Sequence, residues 1–130
     1  MDEDDIYREV DNWLNCPERP LELLFNDIHL CLERCNGGFF VFSRVITLHE
    51  VNNDTLKLPI MITPFALEKF GLTAAALGLN PSSQTLYLIQ RIDQDKTEEL
   101  FSQLDDISQQ TEIWQAVIKT ILPATVYSAS

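Results

Sequence analysis

Residues 28–48, IHLCLERCNGGFFVFSRVITL, decide the fold. Ile28, Leu30 and Leu32 alternate with His29, Cys31 and Glu33, the two-residue period of a strand whose faces differ. Asn36-Gly37-Gly38 supplies turn chemistry, and residues 39–48 are dense in the aromatic and β-branched side chains that suit a pleated surface. A hairpin follows. Its second strand carries Phe39, Phe40, Val41, Phe42, Val45 and Ile46, so both of its faces are apolar. One face can pack under a helix, and the other needs a cover: the first helix, a second copy of the chain, or an extended ligand.

Working outward, Ile6, Val10, Trp13 and Leu14 recur at three- and four-residue spacings, a helical stripe over 5–14 that Pro17 and Pro20 end. Leu21–Phe25 has no clear period and suits a further helical turn or the approach to a strand. Beyond the hairpin, Val51-Asn52-Asn53-Asp54 reads as a turn, and Leu56, Leu58, Ile60 and Ile62 alternate as a third strand, which Pro59 confines to an edge or a bulge. Thr63-Pro64 opens a short helix that Gly71 stops. Residues 72–79 are ambiguous: the alanines favour helix, yet Asn80-Pro81-Ser82-Ser83 leads straight into a strand over 85–92, and a second hairpin is expected.

The last element is the clearest helix. Asp95 and Glu98 make a capping box, and Leu100, Leu104, Ile107, Thr111, Trp114, Ile118 and Ile121 keep a four-three spacing up to the stop at Pro123. The elements run α-β-β-β-α-β-β-α, an α+β fold with helices packed on an antiparallel sheet. With 130 residues, 45% of them hydrophobic, the chain suits one domain over 1–130.

Charge narrows the partners. Twenty acidic against 9 basic side chains leave a formal net charge of -11, which repels phosphate backbones and anionic bilayers. Nucleic acid and membrane insertion are therefore excluded as expectations, and the acidic start with no long apolar run points to the cytoplasm. Cys16, Cys31 and Cys35 are odd in number and read as reduced thiols.

No catalytic constellation emerges. Only His29 and His49 could act as imidazole bases, and neither has a nucleophile and an orienting acid at a recognisable spacing. His29, Cys31 and Cys35 could form a metal triplet, but they lack the paired spacing of zinc sites and fit a half-buried strand better. Gly78-x-Asn80-Pro81 is turn chemistry rather than a phosphate cradle. The expectation is a protein that is not an enzyme and carries no metal or cofactor.

Ala74-Ala75-Ala76-Leu77-Gly78-Leu79-Asn80-Pro81, then Thr85-Leu86-Tyr87-Leu88 and Arg91-Ile92-Asp93, then a long helix with Leu104 and Glu112-Ile113-Trp114, resembles the class I chaperones of bacterial type III secretion systems. The likeness covers 28–122 in element order and 72–118 in motif, and the short helix over 63–71 departs from the family's longer second helix. It implies a small acidic dimer that binds the N-terminal segment of a secreted effector or secretion-apparatus protein and keeps it secretion-competent. A homodimer is expected, with a heterodimer left open. On this reading Ile28, Leu30, Leu32, Phe40 and Phe42 contact the partner, and Leu72, Ala74, Ala76, Leu86 and Leu88 form the subunit interface. The alternative is a regulatory interaction module, or a heterodimeric chaperone subunit, that binds a folded partner.

Overall fold

The computed structural model describes residues 3–16, 18–35, 38–49, 75–80, 82–92, 97–121 and 127–128. Helix α1 (Glu3–Asn15) leads into strands β1 (Leu21–Phe25), β2 (Ile28–Cys35) and β3 (Gly38–Leu48). Strands β4 (Ala76–Asn80) and β5 (Thr85–Ile92), helix α2 (Thr97–Ile121) and a short β6 (Tyr127–Ser128) complete the described elements. The sheet has the order β1-β2-β3-β5-β4, with β6 paired to β3, and every pairing is antiparallel. The expected α+β architecture is therefore observed. The third strand expected over 56–62, the helix over 63–71 and the capping residue Asp95 lie outside the described residues.

Leu21–Phe25, left open by its sequence, is a strand. Its hairpin with β2 closes through Asn26 and Asp27, both at positive φ (50° and 64°), between the opposed residues Phe25 and Ile28. Two left-handed residues in a two-residue loop make the type I′ turn, which matches the strand twist and which asparagine and aspartate tolerate.

Both helices pack on one face of the sheet. Helix α2 crosses β1, β2, β3 and β5, with α1 beside it against β1. Its predicted stripe is buried from Leu100 to Ile118: Leu100, Leu104, Ile107, Thr111 and Ile118 have no exposed surface, and Trp114 has 3%. Thr111, the polar member, is bonded in place. Its hydroxyl donates to the Ile107 carbonyl at 2.8 Å and accepts from the Ser43 hydroxyl at 2.5 Å. A helix-to-sheet contact thus satisfies both buried hydroxyls. At the carboxyl end of α1, Trp13 stacks tilted on Phe39 with ring centroids 5.0 Å apart, and its indole N–H donates to the Arg19 carbonyl at 2.6 Å. Gln110, also buried, accepts from the Ala75 backbone N–H at 3.0 Å and so ties the entry of β4 to α2.

Candidate functional site

The second face of the sheet has no described helix upon it. Register defines its rows. Glu22 opposes Cys31, Cys31 opposes Phe42, Phe42 opposes Ile89, and Ile89 opposes Ala76, so one row runs across five strands. The neighbouring row on one side holds Glu33, Phe40 and Arg91, and that on the other side holds Arg44, Tyr87 and Gly78. Phe40 and Phe42 are half-buried, with ring centroids 6.2 Å apart in a tilted pair.

A hollow of about 660 Å³ opens on this face, floored by Phe42, Tyr87 and Ile89 and rimmed by Glu22, Glu33 and Arg44. Gly78 deepens it, because a Cβ there would come within 3.1 Å of Ile89 Cδ1. The turn reading of 78–80 is corrected in part: Gly78 lies mid-strand, where glycine marks a close approach. Asn80 does make the turn, its side-chain carbonyl accepting from the backbone N–H groups of Ser82 at 3.0 Å and Ser83 at 3.4 Å.

The five residues expected to contact a partner do not share a face. Ile28, Leu30 and Leu32 point under the helices with 4%, 2% and 0% of their surface exposed, so they support the sheet from its sealed side. Phe40 and Phe42 stand on the open side. Of the residues expected at a subunit interface, Leu72 and Ala74 lie outside the described residues, Ala76 is exposed on β4, and Leu86 and Leu88 are fully buried beneath α2. A side chain without exposed surface cannot touch a second copy unless the fold opens.

Burial, followed by the carboxylates of Glu33 and Glu22, pushes the Cys31 thiol up from its ordinary value, which keeps it protonated and weakly nucleophilic. His29, Cys31 and Cys35 do not converge: Cys31 and Cys35 are four residues apart along one strand, about 13 Å. Among the described residues no group of three His, Cys, Asp or Glu side chains is placed to hold a metal ion, and no helix is long and apolar enough to cross a membrane. Sequence reading missed Glu22, Arg44, Tyr87 and Ile89 as neighbours of Phe42, although a two-residue connection between Cys35 and Gly38 sets Cys31 opposite Phe42.

An antiparallel sheet with two helices on one side, and no described helix on the other, makes an α+β fold. The chain is similar in structure to a chain of the ExsC–ExsE complex, with a TM-score of 0.63 and 14% identity over 89% of this chain and 96% of that one. It is also similar to a chain of the HopA1–SchA chaperone–effector complex, with a TM-score of 0.55 and 13% identity over 89% of this chain and 98% of that one. The likeness is one of fold, and it is the fold that the resemblance of residues 72–118 to type III secretion chaperones implies. No protein-family model matches the sequence, and no curated protein matches it.

Proposed function

We propose that this protein is a non-enzymatic chaperone that binds the N-terminal segment of a type III secreted effector or apparatus protein and keeps it secretion-competent. The observation that carries the reading is the sheet face on which no described helix lies, where Phe40, Phe42, Tyr87 and Ile89 are half-buried while the opposite face of the same strands is sealed. The shared fold with a chain of a chaperone–effector complex supports it. Ordering a disordered segment costs about 2–5 kcal/mol, and at ~25 cal/mol per Å² roughly 200 Å² of buried apolar surface offsets the upper figure. Two or three apolar side chains seated over Phe42 reach that area. The negative charge keeps the free protein soluble and favours basic segments. The same reading pairs two copies along the edge of the sheet at β4, with Ala76 at the contact.

Calorimetry with isolated N-terminal fragments of candidate secreted proteins tests this. The expected result is binding by the fragment alone with a negative heat-capacity change, lost in Phe42→Asp. Binding only by the folded, full-length partner would replace the chaperone with a regulatory interaction module.

A further inference from the structure

The open face also defines what shape and charge of ligand fits it. We infer that its occupant is an amphipathic helix of the partner whose contact stripe carries a basic residue, then apolar residues, then an acidic residue; this rests on the partner-binding reading above.

Shape follows from where the backbone groups lie. The N–H and C=O groups of β2, β3 and β5 are spent within the sheet plane, so the middle of the face offers an incoming main chain no partner. An extended segment lying there would leave its own ladder groups to water alone. A helix closes its hydrogen bonds internally and presents only side chains. The molecule already uses that solution on its other side, where α1 and α2 lie against the same strands.

Charge follows from the rows. Glu33 opposes Phe40, Glu22 belongs to the row of Phe42, and both carboxylates are exposed at the rim. Two residues beyond Phe42 along β3, Arg44 lines the same hollow, and its buried Nε has no hydrogen-bond partner among the described residues. Phe40 and Arg91, opposed in the row of Glu33, both stand just outside the hollow, with Arg91 on the side away from Glu33. The span from Phe40 to Arg44 is four residues of strand, about 13.5 Å. A helix covers that distance in about nine residues at 1.5 Å each. A lysine or arginine at one end therefore meets Glu33 and Glu22. Apolar side chains one turn on fill the space between Phe42 and Ile89. A carboxylate at the far end meets the guanidinium of Arg44. A second copy of this chain fits less well, because it brings a further -11 of charge to a rim that already carries two carboxylates.

The test uses the whole protein and a synthetic helical peptide of about 18 residues with Lys, two leucines a turn on, and Glu a further turn on. The expected result is binding that weakens at least tenfold in Phe42→Asp and in Arg44→Glu, with the Arg44→Glu variant then preferring a peptide whose Glu is replaced by Lys. Circular dichroism should show the peptide gaining helix on binding, and a central proline should abolish it. Equal affinity for the proline peptide would overturn the helical occupant, and indifference to Arg44→Glu would overturn the charge order. A solution mass that falls from two chains to one in Phe42→Asp would give the face to a second copy and overturn the proposal. If client fragments bind but ignore both substitutions, this site is wrong while the chaperone reading stands. If the helical peptide binds as expected and no client fragment does, the site stands and the chaperone reading fails. Unchanged thermal unfolding of Phe42→Ser and Arg44→Glu separates lost contact from lost fold.

Discussion

Two faces of one sheet, built from alternate residues of the same strands, have opposite fates. Leu30, Leu32, Val41 and Leu88 have at most 2% of their surface exposed beneath α2, whereas Cys31, Phe42, Tyr87 and Ile89, each next door in sequence, stay half-open. The half-open face also carries Glu22, Glu33 and Arg44, but Phe42 is as hydrophobic as Val41, and what separates those two is coverage by helix. The sealed face holds the fold together, and the other carries no helix among the described residues.

The sharpest way to break this contrast is truncation on the sealed side. Leu32→Ala or Leu88→Ala should cost about 2–5 kcal/mol in chemical denaturation, while the surviving folded molecules keep their binding. Next in size is the buried hydroxyl pair. Removing one member with Ser43→Ala leaves the Thr111 hydroxyl without the bond it accepts and should cost about 1–2 kcal/mol, part of which the double variant with Thr111→Val recovers in a denaturation cycle. Phe42→Asp should shift stability by about 1 kcal/mol or less yet abolish binding of a hydrophobic dye. Outright unfolding of that variant would show that the two faces are not separable.

The smallest effect is expected at Cys31. Its raised value in the folded state means that the unfolded chain releases the thiol proton first as pH rises. Its contribution to stability is thus intact below the ordinary thiol value and is lost as pH climbs from there through the folded value. Mass spectrometry after brief alkylation near neutral pH should find the exposed Cys16 modified well before Cys31.

Much of this fold was legible in the sequence because period and length agreed. The stripe Ile6, Val10 and Trp13, the alternation of 28–33 and the four-three spacing from Leu100 all correspond to buried positions. Leu21–Phe25 was not legible. Leu24 is 46% exposed between the buried Leu23 and Phe25, so a leucine stands where alternation would put a polar residue. The turn at Asn26 and Asp27 contains no glycine to announce it.

The site was half legible. Alternation in β2 separates Ile28, Leu30 and Leu32 from His29, Cys31 and Glu33, but it does not say which set the helices cover. The apolar set lies beneath them, as burial favours. The Cys31–Phe42 register groups the polar set with Phe40 and Phe42 instead. A face that looks half-polar in one strand and aromatic in the next is a composite, and only pairing across strands reveals it. Arg44 was hidden for the same reason: in sequence it is one charge in an apolar run, and in space it is the cationic rim of a hollow whose other charges come from β1 and β2.

The placement of the indoles has a practical consequence. Trp13 and Trp114 are 7% and 3% exposed, both among the side chains that hold the helices to the sheet. Their emission should therefore redden on denaturation while changing little when a ligand docks on the far side. An optical reporter of occupancy has to be introduced, and Tyr87→Trp would place one at the hollow itself.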